Sequence, residues 1–280
     1  IIAEAGVNHN GSVSIAEQLI DVASTAKVDA IKFQTFISAD VITVTAPHAP
    51  YQKNAEEHSN TQLEMIKRLE LKFDDFVHLK HYAEDKGLIF LSTPFDNRSI
   101  TFLAELELAA MKIPSGEITN LPYLREIGKL DMKIFLSTGM STIDEIQDCI
   151  DVLSLSGTDP ENIFVLHCNT AYPTPVIDIN LEVLLQFKEI FGPRIGFSDH
   201  SLGVDAPIAA VALGARVIEK HFTLDRTLSG PDHKASLCPD ELRSMVKSIR
   251  FIEKALGDRN KKITASEQEN IAIARKSIVA

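Results

Sequence analysis

Residues Phe197–Gly203 read FSDHSLG and residues Glu219–Asp225 read EKHFTLD. Each carries a histidine at the end of a short apolar run, His200 and His221. Alternate residues of a strand share a face. In the first run Ile195 and Phe197 therefore oppose Gly196, Ser198 and His200. In the second, Ile218 and Phe222 oppose Val217, Glu219 and His221. One face is apolar throughout and suits a layer of helices. The other turns polar only towards the C-terminal end, which is where a parallel barrel carries its active site. Asp205–Leu213, between the two runs, has a helical pattern, so the pair reads as two consecutive βα units.

The same grammar extends over the chain. Strands are expected at Ile1–Ala5, Ala30–Thr35, Leu88–Thr93, Ala109–Pro114, Lys133–Thr138, Ile163–Cys168, Arg194–Ser198 and Val217–Phe222. Amphipathic helical stretches follow them at Ser14–Ala26, Phe73–Lys86, Ser99–Glu107, Leu121–Lys129, Ile143–Leu153, Leu181–Ile190, Asp205–Leu213 and Pro239–Leu256. Eight such units in ~260 residues describe a (β/α)8 TIM barrel. An open doubly wound sheet would be expected to show a Gly-rich phosphate turn after its first strand, and AGVNHNG lacks that spacing. The catalytic barrel is expected over residues 1–260, with 261–280 as a C-terminal helix or linker. Two connections are long. One follows the second strand and includes HAPYQKNAEEHSN. The other, TLDRTLSGPDHKASLC, follows the eighth and suits a functional loop.

The composition narrows the class. A chain of 280 residues with 45% hydrophobic content can bury one large core. No apolar run is long enough for a membrane span, and the start has neither the basic nor the apolar segment of a signal peptide. The absence of an initiator Met suggests trimming at the N-terminus. The net charge of −11 argues against nucleic acid and anionic membranes as partners. Three scattered cysteines, Cys149, Cys168 and Cys238, argue against a disulfide framework and suit a reducing cytoplasm.

Several residues could carry chemistry. His200 and His221 come from neighbouring strand tops and can converge on a divalent cation while leaving positions for water and substrate. The plainer alternative is two hydrogen-bonded strand-end histidines. Lys32 and Lys112 lie inside apolar strands, where lysine needs a partner. That partner is an anionic ligand, or a carboxylate such as Glu4 or Glu117. Four strands end in small hydroxyl residues, including Thr93, Ser115, Ser137 and Ser198, which suit phosphate or carboxylate oxygens. Each alone is an ordinary cap, and Ser141 or Thr142 with Glu145 is expected to be one. Gln34, Asn169, Thr170, Tyr172 and Asp232 add groups for a polyol or amide.

In order along the chain, IIAEAGVNHNG, KFQTF, FLSTPFD, KIPSGEITNLP, LSTGM, HCNTAYPTP, GFSDHSLG, ALGARVIEKHFTLDR and GPDHKASL resemble the sialic acid synthase family, whose members make N-acetylneuraminic, legionaminic or pseudaminic acids. The resemblance covers essentially the whole chain. It implies condensation of phosphoenolpyruvate with an N-acetylated hexosamine to a nine-carbon 2-keto acid, with loss of phosphate. It implies Mn²⁺ (or Mg²⁺ or Co²⁺) on His200 and His221. It places phosphoenolpyruvate on Lys32, Thr93, Lys112, Ser115, Ser137 and Ser198. The sugar falls to Gln34, Asn169 or Thr170, Tyr172 and Asp232, and Glu4 and Glu117 lie near the reacting centre. It also implies a homodimer and a further antifreeze-like domain beyond residue 280. The rival readings are a Schiff-base aldolase acting through Lys32 or Lys112 and a sugar-acid sensor without turnover.

Overall fold

The computed structural model describes residues 1–43 and 61–278; the HAPYQKNAEEHSN stretch lies outside them. Eight strands form one sheet: β1 Ile2–Gly6, β2 Ala30–Thr35, β3 Ile89–Pro94, β4 Met111–Ile113, β5 Ile134–Ser137, β6 Ile163–Cys168, β7 Ile195–Asp199 and β8 Val217–His221. Their order is β3-β2-β1-β8-β7-β6-β5-β4 and every ladder is parallel. β3 and β4 meet at the two ends of that order and close a TIM barrel by contact, with no ladder between them among the described residues.

The strands sit within two residues of their expected bounds because alternation and helix signals agree. Ser12 caps Val13–Ala26, Asp96 caps Asn97–Glu105, and Thr142 with Glu145 forms the expected capping box ahead of Ile143–Ser156. Two helices among the described residues were not foreseen: the single turn Ser38–Val41, and Gln62–Leu69, which Thr61 caps and whose Met65 and Leu69 are buried. Outward strand residues such as Ile31, Phe33, Ile195, Phe197 and Ile218 pack with the helices into the main core.

Where one C-terminal helix is expected, the chain makes two single turns, Ala265–Gln268 and Ile271–Ala274. Neither buries a residue, and a short helix without a packed apolar face is marginal in water.

The barrel interior is layered. Its lower layer is apolar: Ile2, Ala30, Leu91, Ala110, Leu166 and Val217 cluster, with Phe135 and Phe164 against them. At Gly196 an added Cβ would lie 2.4 Å from Leu166, so the backbone itself completes the packing there. Two residues further along every strand, the inward position becomes polar: Glu4, Lys32, Thr93, Lys112, Ser137, Cys168, Ser198 and Glu219. All eight are buried.

Candidate active site

These eight residues form the floor of a cleft of about 630 Å³ at the C-terminal mouth of the barrel. A larger groove of about 910 Å³ runs outside, between helices Asn97–Glu105 and Leu121–Gly128. It belongs to the outer helices and holds none of these groups.

The floor is an ion-pair network. Lys32 Nζ lies 2.7 Å from Glu4 Oε2 and 3.6 Å from Glu219 Oε2, and donates to Thr93 Oγ1 at 2.8 Å. Lys112 Nζ is 3.0 Å from Glu219 Oε1, which also accepts from Ser198 at 2.8 Å. Gln34 donates to Glu4 Oε1 at 3.5 Å. The two carboxylates are driven apart. Burial raises Glu4 to about 7 against the pull of Lys32, and the negative Glu219 adds to the rise. Burial would raise Glu219 as well, but Lys112 and Lys32 overcome it and hold that group well below the carboxylate range. Glu219 is thus a permanent anion and Glu4 a proton-exchanging group near neutrality. Burial disfavours the charge on Lys32, yet Glu219 and Glu4 raise it on balance. Ser137 Oγ is buried in this half of the cleft with no hydrogen-bond partner among the described residues.

The histidines rise above that floor. Their ring centroids are 5.4 Å apart. His200 Nδ1 is 2.5 Å from the Asn169 carbonyl, so Nδ1 carries a proton and Nε2 faces the Tyr172 hydroxyl at 2.9 Å. Burial disfavours a charged His200, while Cys168, the Asn169 carbonyl and Glu219 favour it and raise it on balance. His221 is pushed far down by burial, then by His200 and Lys32, and its buried Nδ1 has no hydrogen-bond partner among the described residues. Asp232 Oδ2 lies 3.9 Å from that nitrogen. Burial raises Asp232 to about 6.

A divalent cation fits this donor set. His200 has one nitrogen fixed by a backbone carbonyl, the usual way of orienting a ligating imidazole, and His221 is neutral with an unclaimed nitrogen. Among the described residues no three or more His, Cys, Asp and Glu groups surround one point. A cation on the pair would therefore take its other ligands from water and substrate. Gly6, at φ +53°, lets β1 pass His221; a Cβ there would lie 3.2 Å from its Cε1.

The rim comes from the loops. Gly139 N–H donates to Ser115 Oγ at 2.9 Å, and a Cβ on Gly139 would lie 2.7 Å from Thr170 Cγ2. The β8 loop brings Pro231 and Asp232 to the cleft. Opposite, Val7, Phe36, Leu69, Val41, Ile66 and Phe95 form an apolar wall, to which Gln62–Leu69 contributes.

Most of the residues expected in a site meet here: Glu4, Lys32, Gln34, Thr93, Lys112, Ser115, Ser137, Thr170, Tyr172, Ser198, His200, His221 and Asp232. Two do not. Glu117 lies outside the cleft lining, and its Oε2 accepts from Asn120 at 2.6 Å at the start of the next helix. The Asn169 amide oxygen accepts from Ala171 N at 2.8 Å and Thr174 Oγ1 at 3.4 Å, so it shapes its own turn. Thr170 reaches the cleft instead. Sequence reasoning missed Glu219 as the counter-ion of both lysines, although its inward position beside His221 was readable. It also missed Cys168 and the apolar wall.

Comparison with known proteins follows the same lines. Residues 19–261 match the model of the NeuB family. The chain is 50% identical over 280 residues to the N,N'-diacetyllegionaminic acid synthase of Campylobacter jejuni, covering 100% of this chain and 84% of that protein. It is 43% identical to the enzyme of that name from Legionella pneumophila, covering 99% and 79%. Among solved structures, an N-acetylneuraminic acid (sialic acid) synthetase from Leptospira borgpetersenii in complex with citrate superposes with a TM-score of 0.84 at 34% identity. That match covers 97% of this chain and 90% of the other.

Proposed function

The chain belongs to the NeuB family, the sialic acid synthases, and from that premise we propose that it condenses phosphoenolpyruvate with an N-acylated amino hexose, releasing phosphate and a nine-carbon 2-keto sugar acid. One observation carries the reading. Two buried lysines and a set of hydroxyls share a cleft with two convergent imidazoles. Phosphoenolpyruvate has a carboxylate and a phosphate, and Lys32, Thr93, Lys112, Ser115, Ser137 and Ser198 supply cations and donors for both. Tyr172, Gln34, Thr170 and Asp232 are the polar groups for the sugar. The apolar wall suits acetamido methyls and the methyl of a 6-deoxy diacetamido hexose, in keeping with the legionaminate-type relatives.

The C2=C3 π electrons form the bond from C3 to the open-chain aldehyde carbon, and positive charge develops at C2. The aldehyde π pair moves to oxygen, which becomes a hydroxyl by taking up a proton that water supplies overall. Water adds at C2, and phosphate departs with cleavage of the C–O bond. Glu4, at about 7, accepts the proton of that water. Glu219 pairs with both ammonium groups and holds them aimed at the cleft. His200 and His221 would hold a divalent cation, which when bound would supply Lewis acidity for activating the aldehyde. Phosphate release from phosphoenolpyruvate tests the reading across a panel of 2-acetamido and 2,4-diacetamido hexoses, with and without Mn²⁺. Release should require both a sugar and a divalent ion, and be fastest with a 6-deoxy diacetamido sugar. Release that ignores chelation, or substrate trapped on a lysine by borohydride, points to the aldolase.

A further inference from the structure

On the outer face of the barrel, between strands and helices, lies an ion pair with no place in the chemistry above. Lys220 Nζ is 2.5 Å from Asp199 Oδ2, and the two side chains are 0% and 1% exposed. They are ladder partners, Asp199 on β7 against Lys220 on β8. Their chain neighbours are His200 and His221. Lys220 Nζ also donates to the Ser201 carbonyl at 2.6 Å, and Asp199 Oδ1 accepts from Ser201 N at 2.8 Å. The backbone is thus gripped immediately before and after His200. The position matters because β7 ends at Asp199, so His200 stands one residue past the last ladder bond. Thr174 N, donating to the His200 carbonyl at 2.9 Å, also ties this backbone, while the Asn169 carbonyl holds the imidazole at Nδ1.

Stability is a weak reason for such a pair. Replacing a buried ion pair with apolar residues of similar volume is often neutral or stabilising. Phe197 and Phe222, two positions away on the same outward face, are buried apolar residues. Charge in the cleft is not the reason either, since both groups face away from it.

We propose that Asp199 and Lys220 are positioning residues that lock the ends of β7 and β8 together and so set the separation and aim of the His200 and His221 imidazoles. The inference rests on the reading of those histidines as a divalent-cation site. The clamp acts through the backbone at the last ladder pair of β7 and β8, beyond the Ser198–Glu219 pair, so it bears on the two imidazoles more directly than on Lys32 and Lys112, which rise from β2 and β4.

The test is Mn²⁺ binding by electron paramagnetic resonance, with phosphoenolpyruvate affinity and melting temperature measured alongside. The double variant Asp199→Leu with Lys220→Met should melt at or above the wild-type temperature. It should bind Mn²⁺ at least tenfold more weakly and phosphoenolpyruvate within twofold of wild type. A folded double variant with wild-type Mn²⁺ affinity overturns the proposal. So does a loss of both affinities in proportion to a fall in melting temperature, the signature of a merely structural role. If the double variant does not fold, Asp199→Glu carries the same test. It keeps the charges and lengthens the link by one methylene, so weaker Mn²⁺ binding at unchanged melting temperature is expected, and unchanged Mn²⁺ binding is fatal. Wild-type protein and His221→Ala binding Mn²⁺ equally would sink the cation-site reading itself, and the positioning role with it. That result is separate from failure in the clamp variants alone.

Discussion

Lys112 reaches Glu219 across the full width of the barrel: its Nζ stands 3.0 Å from Oε1 of a residue on the diametrically opposite strand, β8 against β4. From β2, Lys32 approaches the other oxygen of the same carboxylate at 3.6 Å. One anion thus holds two cations together at the floor of the cleft.

Glu219→Gln should leave the buried Lys112 ammonium without its carboxylate and Lys32 with Glu4 as its remaining one. Removing one member of a buried pair costs about 3–5 kcal/mol, to be read by urea unfolding. Inorganic phosphate should restore more stability to this variant than to wild type. Equal stability with no phosphate effect would remove Glu219 from its role.

Lys112→Met should weaken phosphoenolpyruvate binding by ~2–4 kcal/mol and leave the sugar nearly untouched. Initial-rate kinetics with each substrate varied in turn separate the two. A rise confined to the sugar KM would reverse the assignment of the half-sites.

His200→Ala and His221→Ala should each abolish tight Mn²⁺ binding and lower turnover by roughly a thousandfold, the loss expected when several kcal/mol of Lewis-acid assistance disappear. Wild-type turnover that is equal in excess EDTA and in Mn²⁺ would contradict this.

Stability should fall on acidification because of two histidines outside the cleft. Burial lowers His9 from 6.5 to about 4, helped by His233, and burial lowers His233 to about 4 as well. Between pH 6.5 and 4 the unfolded chain binds protons that the folded chain refuses. Their contribution is complete above 6.5 and is lost as pH falls towards 4, by up to about 1.4 kcal/mol per unit for each group. His9→Asn keeps an acceptor for Gly11 N–H, which His9 Nδ1 now meets at 3.1 Å. The difference in unfolding free energy between wild type and this variant should shrink as pH drops from 7 to 4.5. A constant difference would show that His9 does not titrate on unfolding.

The barrel and most of its site were legible because period-two alternation survives in every strand, with Lys32, Lys112, His200 and His221 as visible interruptions. What was hidden depends on distance or ambiguity. Glu219 pairs with a lysine 107 residues away, and no local pattern announces that. EKH places three polar residues in succession, so Lys220 reads as surface until helices cover it. Gln62–Leu69 is short, sets three charged residues among four apolar ones, and buries only Met65 and Leu69. Asn169 and Thr170 are adjacent, and only the turn geometry separates the one that shapes the loop from the one that reaches the cleft.

The unlatched seam between β3 and β4 has a consequence for how the barrel breathes. Thr93 stands on one edge and Lys112 on the other, so a bound phosphoenolpyruvate touching both would act as a strut across two open edges. Backbone amides flanking that seam should exchange with deuterium faster than those between β1 and β8 in the free protein, and slow selectively when phosphoenolpyruvate is added. In that sense phosphoenolpyruvate, on the proposed reading, would supply the last crosspiece of a cylinder whose described residues leave that edge without a ladder.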